Sequence, residues 1–385
     1  MKYNKEQTPA SENTRNSSIE LLKVIGILLI VMSHVVQTLS GTNTDVSFQD
    51  YMVNVRLATT NIQYLILSMM HYGGFFGNTI FFVCSAWYLL DDRKMNKRKI
   101  LQMLMDIWVI SIIILVVVYI LRSGHISATM IIRQIFPTTF TNNWYMTCYL
   151  LFYPIYPFLN LIIYKVEKST LLKTTLVMLF LYMGINYLQG EHFFTSHLIV
   201  WIVLYFVIAY MKLYIVDMSN NFKLNVCILI IGLVGNYGII VLTNILGLHM
   251  SIFSGELLHW NRNCSPFILL IVIGLFNIAR NIHFDNKAIN YVSRLSLFIY
   301  IIHENMLLRT YYRPMMWQYV YANIGYDYIL LWAFVITLII FLFGLLSSIV
   351  YKCTVQKVVT RIGDKLYPKL CSGYGYIEKI LFHLH

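Results

Sequence analysis

The sequence predicts an all-α polytopic membrane protein, a bundle of about ten transmembrane helices. Three observations predict it. Of 385 residues, 58% are hydrophobic and 12% charged, whereas a soluble domain carries about 25% charged residues. Apolar stretches of span length recur along the whole chain. The basic residues also gather on alternate connecting segments, as the positive-inside rule requires.

Residues 1–17 are polar, and the first apolar stretch, 18–39, runs on to span length without a small-residue cleavage site, so it reads as a retained first span. The second, 62–90, is too long for one straight helix, and His71, Gly73, Gly74, Gly77 and Asn78 suggest that it is broken or tilted. The third covers 100–121. The fourth, 143–164, carries Pro154 and Pro157, which distort a helix and free backbone groups inside the bundle. Further spans are expected near 171–189, 196–215, 224–246, 264–280, 294–312 and 328–351. The tail 352–385 mixes basic and aromatic residues and is expected to lie along the inner membrane surface rather than form a domain.

Charge sets the orientation. With the N-terminus inside, inner segments hold 23 of the 29 Lys and Arg residues; the outer set is Arg56, Arg122, Arg133, Arg262, Arg309 and Arg313. Both termini are therefore expected in the cytoplasm, with the chain multi-pass in the cell membrane. The same dispersal along one membrane face explains the +12 net charge and argues against nucleic-acid binding. Six scattered cysteines show no CxxC pairing, and no metal-ligand spacing, P-loop or GxGxxG appears.

Ionisable residues within spans mark sites by default. Lys23 and His34 lie eleven residues apart in the first span, on one helix face and roughly 16 Å apart along the axis. A neutral His34 is suited to general-base work, although a buried histidine bonded to a neighbouring helix is the structural alternative. Lys23 could bind an anion or simply snorkel, and Glu20 at i−3 could pair with it. The loop 91–99 has five basic residues in nine; beyond topology, Arg93 and Arg98 could grip phosphates. Asn143, Trp144 and Tyr145 open the fourth span as an aromatic belt or as a sugar platform. His303 and Glu304 sit inside the ninth span, about 100° apart on a helix, so each should meet a partner on another span.

Taken in order, these segments resemble the acyltransferase 3 family of integral-membrane acyltransferases. Residues 20–34 look like its first-span motif of a basic residue followed by His, with Lys23 in place of Arg. FFVCSAWYLL (81–90) is similar to its FFxxSGxxL stretch, with Ala86 in place of Gly. NWYMTCYLLFYPIYPFL (143–159), WNRNCSPFILLIVIGLF (260–276) and SRLSLFIYIIHENML (293–307) resemble later family segments.

The resemblance implies a stand-alone O-acetyltransferase of capsule or cell-wall polysaccharide. It would take acetyl-CoA as donor, with no permanently bound cofactor and no metal, and a glycan or lipid-linked oligosaccharide as acceptor. His34, with His303 and Glu304, would be catalytic. Lys23, Arg93 and Arg98 would hold the coenzyme A phosphates, and Asn143, Trp144 and Tyr145 the sugar. Two other readings fit the same residues: a transporter or flippase of lipid-linked sugars, and a structural subunit of an export complex.

Overall fold

A computed structural model of the chain describes residues 16–39, 61–92, 94–122, 124–188, 196–250 and 264–382. All regular structure among these residues is helical. In chain order the α-helices are α1 (Ser17–Gln37), α2 (Asn61–Leu89), α3 (Lys97–Leu121), α4 (Ala128–Ile135), α5 (Trp144–Phe152), α6 (Tyr156–Lys165), α7 (Lys168–Leu179, continued to Leu188 through a π-helical stretch, Phe180–Ile185, and a last turn, Asn186–Leu188), α8 (His197–Tyr214), α9 (Val216–Asn220), α10 (Phe222–His249), α11 (Pro266–Asn281), α12 (Lys287–His303), α13 (Arg313–Asn323), α14 (Ile329–Cys353) and α15 (Val355–Phe382).

Each of the ten expected apolar stretches contains helix, but the span count is lower. Six helices among the described residues are long and apolar enough to cross a membrane, or seven if the bent pair α5–α6 counts as one. The expected spans at 62–90, 264–280 and 294–312 fall outside that set. Their helices, α2, α11 and α12, pack directly on α1 in the interior and bury polar side chains such as Asn78, Asn277, Ser293 and Ser296. Helices α11 and α12 are also short, at 16 and 17 residues. The outer helices are apolar where they are exposed: Val116 and Ile120 on α3, Ile231 and Val234 on α10, and Phe343 and Leu346 on α14 face outward. Such surface suits lipid, not water.

The two distortions expected from the sequence come out differently. Helices α5 and α6 meet at 50° around the segment containing Pro154, since proline removes an N–H and clashes with the preceding turn. In contrast, α2 is one unbroken helix of 29 residues. Its glycines fit it against α1. A Cβ on Gly77 would collide with the Gly26 carbonyl oxygen, and one on Gly74 would lie 2.5 Å from Ser33 Oγ. Small residues at these positions let two backbones approach within a membrane. The contact is fixed by Ser33 Oγ donating to the His71 carbonyl at 2.5 Å.

The ninth expected span ends early. Helix α12 stops at His303, where Glu304 N–H reaches the Tyr300 carbonyl and Asn305 N–H the Ile302 carbonyl. Asn305 Oδ1 then accepts from Leu307 N–H at 3.0 Å, the side-chain-to-backbone bond by which Asn starts a new segment. The Asn305 amide is held in turn by a reciprocal pair with Gln134, at 3.2 and 3.0 Å. A π-helical turn, Leu308–Tyr312, leads into α13, which has a proline in its first turn.

Candidate active site

Glu304, the residue that caps α12, reaches α1. Its Oε2 lies 2.8 Å from His34 Nδ1, and His303 Nε2 lies 3.1 Å from that same nitrogen. Each of the two residues does meet a partner on another helix, and it is one shared partner. The imidazoles stack with centroids 5.3 Å apart and 25° between planes. All three residues are buried.

The hydrogen bonds determine which nitrogen carries each proton. His303 Nδ1 lies 2.8 Å from the Ile299 carbonyl, and a carbonyl can only accept, so Nδ1 carries the hydrogen and Nε2 the lone pair. His34 Nδ1 faces that lone pair and the Glu304 carboxylate, both acceptors, so it carries a hydrogen as well. His34 Nε2 is left with a lone pair and makes no hydrogen bond among the described residues. A histidine held by a carboxylate at one nitrogen and open at the other is built to take up a proton.

Two arginines hold the carboxylate. Arg309 Nη1 donates to Glu304 Oε1 at 2.8 Å, and Arg313 Nη2 to Oε2 at 3.3 Å. Arg313 also donates to the His303 carbonyl and, at 3.3 Å, to the His34 carbonyl, so one guanidinium ties α1 to the end of α12. The charge pattern of the sequence places Arg309 and Arg313 among the outer-loop charges. In the structure Arg313 is 3% exposed. The sequence carries a signal for it: two arginines follow Glu304 at positions +5 and +9, with no acid between them.

The donor atoms of His34, His303 and Glu304 lie within 4.8 Å of one another, a spacing that a divalent cation can bridge. Two guanidiniums already neutralise the only carboxylate of the cluster, which disfavours a further cation there. The arrangement fits proton transfer better than metal binding.

Two cavities lie along α12, lined by its residues from Arg294 to Tyr300. The inner one, about 190 Å³, is lined by Ile30, Phe81, Tyr145, Tyr149, Ser296 and Tyr300, among others. The Tyr300 ring is 5.7 Å from that of His303, and Ser296 Oγ, buried on the same wall, has no hydrogen-bond partner among the described residues. The outer cavity, about 460 Å³, is lined by Arg98, Lys99, Arg294 and Lys352, with Asp106 as its one acid. Lys99, Met103 and Leu297 line both. Ser293, Ser296, Tyr300 and His303 recur at three- and four-residue steps, so the polar face of α12 runs from the basic opening to the histidines.

The remaining expected residues are more dispersed. Lys23 pairs with Glu20 at 3.3 Å, and Glu20 also accepts from Ser293; Lys23 lines neither cavity. Arg98 lines the outer cavity and pairs with Asp364. Arg93 lies outside the described residues. Tyr145 lines the inner cavity between the rings of Trp201 and Tyr300, at 4.8 and 5.7 Å. Trp144 packs on His197, 4.4 Å between centroids. Asn143 is buried, and its Oδ1 has no hydrogen-bond partner among the described residues. Of these three, Tyr145 alone lines one of the two cavities.

The family model described as an acyltransferase domain, Acyl_transf_3, matches residues 16–352. The chain belongs to this acyltransferase family. Among curated proteins, and among solved structures, none matches. As a member of the family, the chain is a membrane acyltransferase, and the matched segment contains every residue of the histidine–glutamate cluster and most of the lining of both cavities.

Proposed function

We propose that this acyltransferase moves an acetyl group from cytosolic acetyl-CoA to a hydroxyl of an extracytoplasmic or lipid-linked surface polysaccharide. The observation that carries this reading is the open Nε2 of His34, whose other nitrogen is fixed by Glu304 at 2.8 Å. An acceptor hydroxyl attacks the thioester carbonyl and a C–O bond forms as His34 Nε2 takes the hydroxyl proton. The tetrahedral intermediate then collapses, the C–S bond breaks, and the proton passes from His34 to the departing thiolate. Glu304 steadies the imidazolium while it exists. A histidine supported in this way acts as a base more readily than as an acyl carrier, so direct transfer is favoured.

The charges around the carboxylate suit an anionic intermediate. Arg309 and Arg313 together outweigh Glu304 by one positive charge, and positive charge fixed in a water-poor site stabilises an oxyanion without reorganisation. The Tyr300 hydroxyl, on the cavity wall beside His303, is the candidate direct donor.

The cavities are the proposed route for the donor. Phosphates of coenzyme A would bind Arg98, Lys99, Arg294 and Lys352 at the outer opening, and the narrow pantetheine arm would follow the apolar inner cavity toward His303 and His34. The basic opening then lies on the cytoplasmic side, consistent with the charge bias of the sequence.

The test is to incubate membranes containing the protein with labelled acetyl-CoA and the host glycan. Label in the glycan with the wild type, and none with His34→Ala at equal membrane abundance, is the expected result. Equal label with His34→Ala removes His34 from the mechanism. No label with the wild type turns attention to another acyl donor or acceptor.

A further inference from the structure

Helix α15 follows α14 after one residue, Thr354. One of its sides is packed: Val359 is buried, a Cβ on Gly363 would lie 3.3 Å from Met105 Sδ, and Asp364 pairs with Arg98. The other side is open. Val358, Ile362, Leu366 and Leu370 recur every four residues and are 41–56% exposed. Lys357, Arg361, Lys365 and Lys369 precede them one by one, all exposed. At 100° per residue the result is two parallel stripes, one apolar and one cationic, side by side on the outward face.

We propose that α15 is a membrane-surface helix: the Val358–Ile362–Leu366–Leu370 stripe enters the acyl boundary and the Lys357–Arg361–Lys365–Lys369 stripe binds anionic phospholipid headgroups. Three observations select lipid as the occupant. The helix begins where α14, a helix long and apolar enough to span, comes to an end. The exposed apolar surface of α14 at Leu346 and Val350 leads to Val358 without interruption by an acid. Asp364, the one acidic residue between 355 and 372, is engaged by Arg98, so the open face is purely cationic and complements an anionic leaflet. Gln356 and Thr360 of α15 also line the outer cavity, so seating the helix on lipid sets one wall of that opening.

The test uses the full chain in nanodiscs of phosphatidylcholine alone or with phosphatidylglycerol. The exposed Cys227, Cys353 and Cys371 are first changed to Ser, and Leu366→Cys carries an environment-sensitive fluorophore. Quenching by a lipid with a nitroxide at headgroup depth is the expected result, stronger by about twofold or more with phosphatidylglycerol. Changing Lys357, Arg361, Lys365 and Lys369 to Gln should remove that preference, and should spare folding because the packed face is untouched. A label that stays in water in both bilayers overturns the proposal. Quenching that ignores phosphatidylglycerol in the unmodified helix overturns the headgroup contact. Shielding that depends on protein concentration in detergent assigns the face to a second copy and overturns it as well.

Discussion

His34 Nδ1 lies 2.8 Å from Glu304 Oε2, joining the C-terminal half of α1 to the turn that ends α12. The two residues are 270 positions apart, and Glu304 is the residue that caps α12, just before Asn305 starts the next segment.

Glu304→Gln should therefore damage both activity and stability. It keeps the shape but leaves Arg309 and Arg313 without their carboxylate, and breaking a buried ion pair from one side costs about 3–5 kcal/mol. His34→Ala removes the base without stranding a charge. Rates of acetyl transfer and thermal unfolding in detergent separate the two: both variants should be inactive, with the melting temperature falling far more for Glu304→Gln. Normal stability and rate in Glu304→Gln would show that the carboxylate is idle.

Arg313 carries a second prediction, since it bonds Glu304 and the carbonyls of His303 and His34 at once. Lysine keeps the charge but lacks the planar fork. Arg313→Lys should lower the rate by roughly 10-fold or more, corresponding to about 1.5 kcal/mol for each charge-assisted bond lost, with the Michaelis constant for acetyl-CoA little changed. Full activity in that variant would reduce Arg313 to a source of charge.

The α1–α2 interface gives a graded test. Gly77→Ala would drive a methyl into the Gly26 carbonyl oxygen, whereas a Cβ on Gly26 meets Ile80 and Phe81 at an ordinary 3.4 Å. Gly77→Ala should cost about 1–3 kcal/mol, as overpacking does, and should shift His34 with α1. Gly26→Ala should be mild. Thermal stability of both variants checks this, and equal behaviour would mean that the helices separate more easily than their fit implies.

Much of this was legible in the sequence, and the reasons are specific. Apolar runs located the helices because lipid and core alike demand them, and Pro154 marked the bend because its chemistry is local. His34, His303 and Glu304 stood out as ionisable groups in apolar surroundings. The glycines of α2 misled because glycine both weakens helices and lets them pack; only the shape of α1 decides which. Arg313 was missed because counting charges for topology treats an arginine near a span end as a loop residue, whereas its burial follows from the break at Glu304. The two cavities combine residues from α1, α2, α3, α5, α12, α14 and α15, a juxtaposition that no single segment encodes.

The proposed donor site gives the last prediction. Lys23 is the basic residue of the first-span motif, yet its ammonium is paired with Glu20 at 3.3 Å, while Lys99 lines both cavities. A lysine already neutralised by a neighbouring carboxylate has less to offer a phosphate than one facing an open cavity. Lys99→Met, which keeps length and removes charge, should raise the Michaelis constant for acetyl-CoA by roughly 10-fold, the effect of losing one charge-assisted contact of about 1.5 kcal/mol. Lys23→Met should have a smaller effect on that constant. Arg294→Gln, also on the wall of the outer cavity, should behave as Lys99→Met does, and all three should leave the Michaelis constant for the glycan unchanged. The measurement is a titration of acetyl-CoA at fixed glycan, with a repeat at high salt, where the wild type should lose affinity toward the level of the variants. If Lys23→Met proves the most damaging and Lys99→Met is silent, the donor lies along α1 near Glu20, and the basic opening serves another purpose.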